Sequence, residues 1–257
     1  MSVNAPRNPW WPAHRPRPGA HVRLFCLPYA GGSGVVYRRW QDSLAPDVEV
    51  FPAEPPGRGT RLREPPFRRV GALVEAFDAA LDPLADKPFA LYGHSLGALA
   101  AFEAARKRRR EGKRGPSALF VGACRAPQLP VTSPPTHGLP DAGLIEELRR
   151  LNGTPAEVLE HEELMQLMLP ILRADLEAEE TYVYREEPPL SCPLVAFGGL
   201  GDAAVGREQL EGWRKQTAGE FVLHMLPGDH FFLNESQGQL LRLVAQHCKK
   251  ISDGGVR

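Results

Sequence analysis

The chain has 257 residues, 42% of them hydrophobic, enough to bury a sizeable core within one domain. Lys+Arg and Asp+Glu balance at 31 each, so no net field draws the protein to nucleic acid or to an anionic membrane, and a small-molecule or protein partner is expected. The four cysteines (Cys26, Cys124, Cys192, Cys248) lie far apart with no C-x-x-C pair, which excludes a zinc-ligand spacing and a disulfide framework and predicts buried thiols in a reducing cytoplasm.

In chain order, residues 1–19 are rich in Pro and Arg without periodicity. They are expected to form an extended, loosely docked arm, with Trp10 and Trp11 as candidate anchors. The arm has no apolar h-region or small-residue cleavage site, and no apolar run spans a bilayer, so a cytoplasmic protein with no membrane partner is expected. "HVRLFCLP" (His21–Pro28) reads as a strand ending in the turn-forming "YAGGSG", and "VEVFPAEPPG" (Val48–Gly57) repeats the pattern. "VGALVEAFDAALDPL" (Val70–Leu84) places Leu73, Val74, Phe77 and Leu81 at helical spacing, a crossover to the strand "FALYG" (Phe89–Gly93). "ALFVGACRAP", "CPLVAFGGLGD" and "FVLHMLPGDHFF" give later strands, and Gln237–Lys249 a last helix. Apolar strands alternating with helices predict an α/β domain over residues 20–257, with a mostly parallel sheet covered on both faces.

A long helical segment at about 137–185 interrupts this rhythm. Thr154, Pro155 and Glu157 have capping-box spacing for a new helix, and Pro170 is expected to kink or break the run. The segment is a helical insertion that reads either as core helices or as a substrate-covering lid. Met165, Met168 and Leu172 would suit a surface that contacts varied apolar groups.

"GHSLG" (Gly93–Gly97) fits G-x-S-x-G, following a predicted strand and opening a predicted helix. In such a turn Ser95 projects its hydroxyl at the carboxyl edge of the sheet, and the helix aims its N–H groups and dipole at the same point. A serine nucleophile needs a histidine base and an orienting carboxylate. His230, in a loop between a late strand and the last helix, is best placed; His94 belongs to the turn and should point away. Asp202, closing "PLVAFGGLGD", completes the order Ser, Asp, His. Asp229 is the rival, disfavoured because it adjoins His230 in sequence, and Asp175 ranks third. Two convergent N–H donors for an oxyanion come from Leu96, after the serine, and from Ala30 in the glycine-rich loop. That loop has neither G-x-x-x-x-G-K-[ST] nor G-x-G-x-x-G, and no metal or nucleotide cofactor is required.

With these residues assembled, the chain resembles the type II thioesterases of polyketide and nonribosomal peptide biosynthesis, within the α/β-hydrolase family. The resemblance runs from "RLFCLPYAGGSG" through "PPGRGTRLRE", "FALYGHSLGALAAFEAAR", "GACRAP" and "ADLEAEETY" to "PGDHFFLNE". It implies hydrolysis of acyl thioesters on the phosphopantetheine arm of acyl or peptidyl carrier proteins, a triad at Ser95, Asp202 and His230, and oxyanion donors at Ala30 and Leu96. "GGLGDAAV" departs from the family's G-x-x-D turn. "PPGRG" (Pro55–Gly59) read alone is a turn with a solvated Arg58; the resemblance puts it near the site mouth. The basic run Arg106–Arg114 could meet an acidic carrier surface, or could be a solvated helix end. A carboxylesterase or lipase acting on free esters, and a medium-chain acyl-carrier-protein thioesterase of fatty acid synthesis, are the competing functions on the same fold; a non-catalytic binding protein is the competing class.

Overall fold

Among the described residues, six strands, each a short and mostly apolar run, form one fully parallel sheet in the order β2-β1-β3-β4-β5-β6. They are β1 Val22–Leu27, β2 Val48–Pro52, β3 Phe89–His94, β4 Ala118–Gly122, β5 Leu194–Gly199 and β6 Phe221–Leu226. The computed structural model describes residues 8–151 and 159–253. The described α-helices of four or more residues are α1 Trp40–Leu44, α2 Val70–Leu81, α3 Leu96–Arg110, α4 Asp141–Leu151, α5 Glu162–Glu180, α6 Arg207–Glu211, α7 Phe232–Glu235 and α8 Gln237–Ser252. None of them is long and apolar enough to cross a membrane.

Parallel strands buried on both faces need two apolar covers, and alternation along β1 shows them. Phe25 and Leu27 join a core with Phe77, Phe102 and Trp213 under α2 and α3, while Val22, Leu24 and Cys26 join Trp40, Leu240 and Val244 under α1 and α8. The alanines of α3 (Ala98, Ala100, Ala101, Ala104, Ala105) are all essentially buried, so this helix lies close on the sheet. The chain runs from β1 outward to β2, then returns to the other side of β1 as β3. The carboxyl ends of β1 and β3 therefore flank the point where the strand order reverses, a place where such sheets open a crevice.

Helices α4 and α5 form a third apolar cluster of their own, with Leu144, Leu148, Met165, Leu169 and Leu172. Pro170 does not break α5, which continues from Glu162 to Glu180. Both Pro170 and Gln166, whose carbonyl loses its partner, are exposed, so water can take that carbonyl. The expected cap at Thr154, Pro155 and Glu157 lies outside the described residues.

Three other expectations are corrected. From residue 8 onward the arm is not loosely docked: Trp10 and Trp11, the candidate anchors, are each only 6% exposed, packed edge-on against Phe77, and the Trp10 carbonyl accepts the Glu54 N–H at 2.9 Å. Arg58 is buried rather than solvated. The basic run is largely neutralised by acids of neighbouring segments. Arg108, 1% exposed, bonds Asp78 at 2.7 Å, Lys107 pairs with Glu75 at 2.8 Å, and Arg109 with Glu187 at 2.5 Å. Arg106 is buried between Glu103 and Glu187. These cations tie α3 to α2 and to the chain after α5, which leaves little free charge to face a carrier.

Candidate active site

The strand β3 enters the turn with too little room for side chains on either side of Ser95. A Cβ on Gly93 would fall 2.0 Å from the Gly97 carbonyl oxygen, and one on Gly97 would fall 2.2 Å from the Leu27 carbonyl oxygen. Those atoms are backbone and cannot yield, so both positions require glycine. Ser95 itself adopts φ 51° and ψ −120°, a strained conformation held by its N–H donating to the Gly122 carbonyl at 2.8 Å. It occupies the N-cap position of α3, yet its hydroxyl does not cap the helix and the side chain lines a cavity instead.

His230 lines the same cavity, in the loop between β6 and α7. Its Nδ1 lies 2.9 Å from Asp202 Oδ2. The other Asp202 oxygen accepts the N–H groups of Ala204 at 2.8 Å and Val205 at 3.0 Å, and the side chain has no solvent exposure. Burial alone would raise this carboxyl; the bond and charge of His230 and the two amides outweigh it and hold the group below the ordinary carboxylate value. A carboxylate at Nδ1 keeps the proton there, so the neutral ring presents an unprotonated Nε2. The two rival acids have other partners. Asp229 Oδ1 accepts the Phe231 N–H at 2.7 Å, and Asp175 is paired with Arg58.

His94 faces away from the cavity, as its place in the turn requires. It is fully buried, with Nε2 2.7 Å from the His230 carbonyl and Nδ1 3.3 Å from the Tyr92 hydroxyl. A carbonyl can only accept, so Nε2 carries the hydrogen and the ring braces the His230 loop from below. Burial, and then the neighbouring His230, push His94 down to about 3.

Ala30 also lines the cavity, on the loop after β1, and Leu96 is the first residue of α3. Neither N–H donates to a protein acceptor among the described residues. Two side-chain carboxylates anchor the loop just after Ala30: Glu54, 3% exposed, accepts the Gly34 N–H at 2.7 Å, and Asp175 accepts the Gly31 N–H at 2.7 Å.

The cavity measures about 580 Å³, within the usual span for small-molecule sites. Met168, Leu172 and Leu176 of α5 line it together with Val36, Val131 and Phe231. Sequence reasoning gave no role to Glu179, which lines the cavity too; burial pushes its carboxyl up despite the opposing pull of His230 and Arg125. Its position seven residues after Leu172, two helical turns along the same helix, is the signal that places it on the cavity side.

The thioesterase domain family matches residues 22–251. Gramicidin S biosynthesis protein GrsT of Aneurinibacillus migulanus is 41% identical over 244 residues, 95% of this chain and 94% of that protein. Thioesterase PikA5 of Streptomyces venezuelae is 38% identical over 247 residues, 95% of this chain and 87% of that protein. Among solved structures, the RedJ thioesterase of the prodiginine pathway in Streptomyces coelicolor superimposes with a TM-score of 0.85 at 41% identity, covering 91% of this chain and 94% of that one. The medium-chain S-acyl fatty acid synthase thioesterase of Rattus norvegicus is more distant, 32% identical over 243 residues, 91% of this chain and 90% of that protein.

Proposed function

The chain belongs to the thioesterase domain family, and from that premise we propose that it is a type II editing enzyme that hydrolyses acyl thioesters held on the phosphopantetheine arm of acyl or peptidyl carrier proteins. Its α/β-hydrolase fold and its likeness to GrsT, PikA5 and RedJ support that reading over a fatty-acid thioesterase, the more distant relative. Four buried free thiols suit a reducing cytoplasm, where we locate it.

The observation that carries the chemistry is the Asp202–His230 bond at 2.9 Å beside a cavity that Ser95 also lines. Ser95 Oγ attacks the thioester carbonyl carbon while His230 Nε2 takes the hydroxyl proton. The oxygen that gains the charge lies between the Ala30 and Leu96 N–H groups, and the dipole of α3 adds to them. Collapse of the tetrahedral intermediate breaks the C–S bond, and His230 returns its proton to the departing thiol. Water then attacks the acyl-serine by the same route, giving the free acid and restoring the serine. Helices α4 and α5 cover the acyl group, with Met168 and Leu172 in contact with it.

The test is Ser95→Ala. The folded variant should lose turnover of an acyl-carrier thioester and labelling by a fluorophosphonate; near-normal hydrolysis would refute the assignment. Carrier dependence is tested separately, by comparing kcat/KM for one acyl group on a carrier protein and on N-acetylcysteamine. Equal efficiency would refute it, and faster cleavage of the matching oxygen ester would favour a carboxylesterase.

A further inference from the structure

We propose that Arg58 and Asp175 are positioning residues that aim the Ala30 N–H at the oxyanion, an inference that rests on the serine-hydrolase reading above. Arg58 comes from the "PPGRG" turn and Asp175 from the middle of α5, 117 residues away. The pair is bidentate, Nη1 to Oδ2 at 2.7 Å and Nη2 to Oδ1 at 2.9 Å, and both side chains are buried. It also grips the loop after β1 at two points. Asp175 Oδ2 accepts the Gly31 N–H at 2.7 Å, and Arg58 Nη1 donates to the Gly32 carbonyl at 3.1 Å.

Backbone geometry carries that grip to Ala30. The Gly32 N–H donates to the Tyr29 carbonyl at 2.8 Å. That carbonyl and the Ala30 N–H belong to one planar trans peptide, so they point in opposite directions. Fixing Gly31 and Gly32 fixes the Tyr29 carbonyl, and so fixes the direction of the Ala30 N–H. Two consecutive glycines would otherwise leave the donor free to swing. Gly31, at φ +74°, also lets α5 come close, for a Cβ there would fall 2.6 Å from Leu172 Cδ2. A narrow void of about 10 Å³ is lined by Arg58 and Asp175 together with Leu96 and Gly97 of the serine turn.

A buried ion pair is a poor way merely to join a helix to a loop, because two apolar side chains of similar volume serve as well or better. What apolar side chains cannot do is accept the Gly31 N–H. That difference separates positioning from plain structural support and sets the experiment. Three variants are compared with wild type: Asp175→Ala, the apolar pair Arg58→Met/Asp175→Leu, and the neutral acceptor pair Arg58→Met/Asp175→Asn. For each, kcat and KM are measured on an acyl thioester, with the melting temperature and the affinity for an acyl trifluoromethyl ketone, which forms a tetrahedral oxyanion on the serine.

A lost oxyanion donor lowers kcat by about 10²–10³, which bounds the effect of a misaimed one. Asp175→Ala and the apolar pair should lose about 10- to 100-fold in kcat and in ketone affinity, with KM little changed. The apolar pair should melt no lower than Asp175→Ala. The Asn variant, whose side-chain oxygen can still accept the Gly31 N–H, should recover much of the lost kcat. Wild-type kcat in the apolar pair, or an Asn variant no better than it, would overturn the proposal. Turnover by Ser95→Ala would instead defeat the underlying site assignment; an inert Ser95→Ala beside a fully active apolar pair would defeat positioning alone.

Discussion

Acid should unfold this protein partly through His94. Burial depresses this ring from its ordinary value of 6.5 to about 3, so the unfolded chain takes up the proton first as the pH falls. The stability contributed by the neutral ring is complete above pH 6.5 and is lost progressively between about 6.5 and about 3. Within that window the slope is about 1.4 kcal/mol per pH unit, so at pH 4.5 the loss reaches about 3 kcal/mol, a large share of a typical domain's 5–15 kcal/mol. The causes are structural: burial denies the charged ring its water and the neighbouring His230 opposes a second charge, while the bond to the His230 carbonyl and the charge of Asp202 offset this only in part. Urea midpoints followed by tryptophan fluorescence from pH 7.5 to 4.5, in wild type and His94→Asn, isolate the effect. Other groups that burial pushes down, such as His14, His224 and His247, titrate in both proteins and cancel in the comparison. His94→Asn should be less stable at pH 7.5 but show a shallower fall with acid. Equal slopes would refute the linkage.

Asp202→Asn should lower kcat by about 10⁴ by allowing the wrong imidazole tautomer, with Asp229→Asn close to wild type; the reverse ranking would reassign the acid. Met168→Trp should shrink the cavity roof and shift kcat/KM towards shorter acyl chains, while an unchanged chain-length profile would make α5 a plain core helix. Arg108→Glu puts a second buried negative charge beside Asp78 and should cost about 3–5 kcal/mol of stability or prevent folding, whatever it does to carrier binding. A variant that melts like wild type would show that the pair contributes little.

The strands were legible because burial on both faces leaves unbroken apolar runs such as Leu24–Leu27 and Phe89–Tyr92. The tight turn at Ser95 was legible because glycines flank it between an apolar strand and an alanine-rich helix, and the contact between His230 and Asp202 followed from loop position and chain order. The Arg58–Asp175 pair was not, since nothing local in "PPGRG" announces a carboxylate 117 residues away. Trp10 and Trp11 stand out as candidate anchors, but the firmness of the docking is not legible for a related reason: an aperiodic segment carries no sign of the Phe77 surface that receives it. The run Arg106–Arg114 looked like free charge because its acids, Glu75, Asp78 and Glu187, belong to other segments. Propensity correctly marks Pro170 as a helix breaker, but it cannot register that the orphaned carbonyl faces solvent.

The separate apolar cluster of α4 and α5 divides the molecule into a floor and a roof that can change at different speeds. On the function proposed above, substitutions among Leu144, Leu148, Met165 and Leu169 should alter how this cluster is filled and so the range of acyl groups admitted, while Ser95, His230 and Asp202 stay where they are. Exchanging the whole roof between relatives should therefore transfer selectivity without rebuilding the chemistry, on one condition. The incoming helix must still bring a carboxylate to Gly31, because at Asp175 the replaceable part of the molecule reaches into the part that is not.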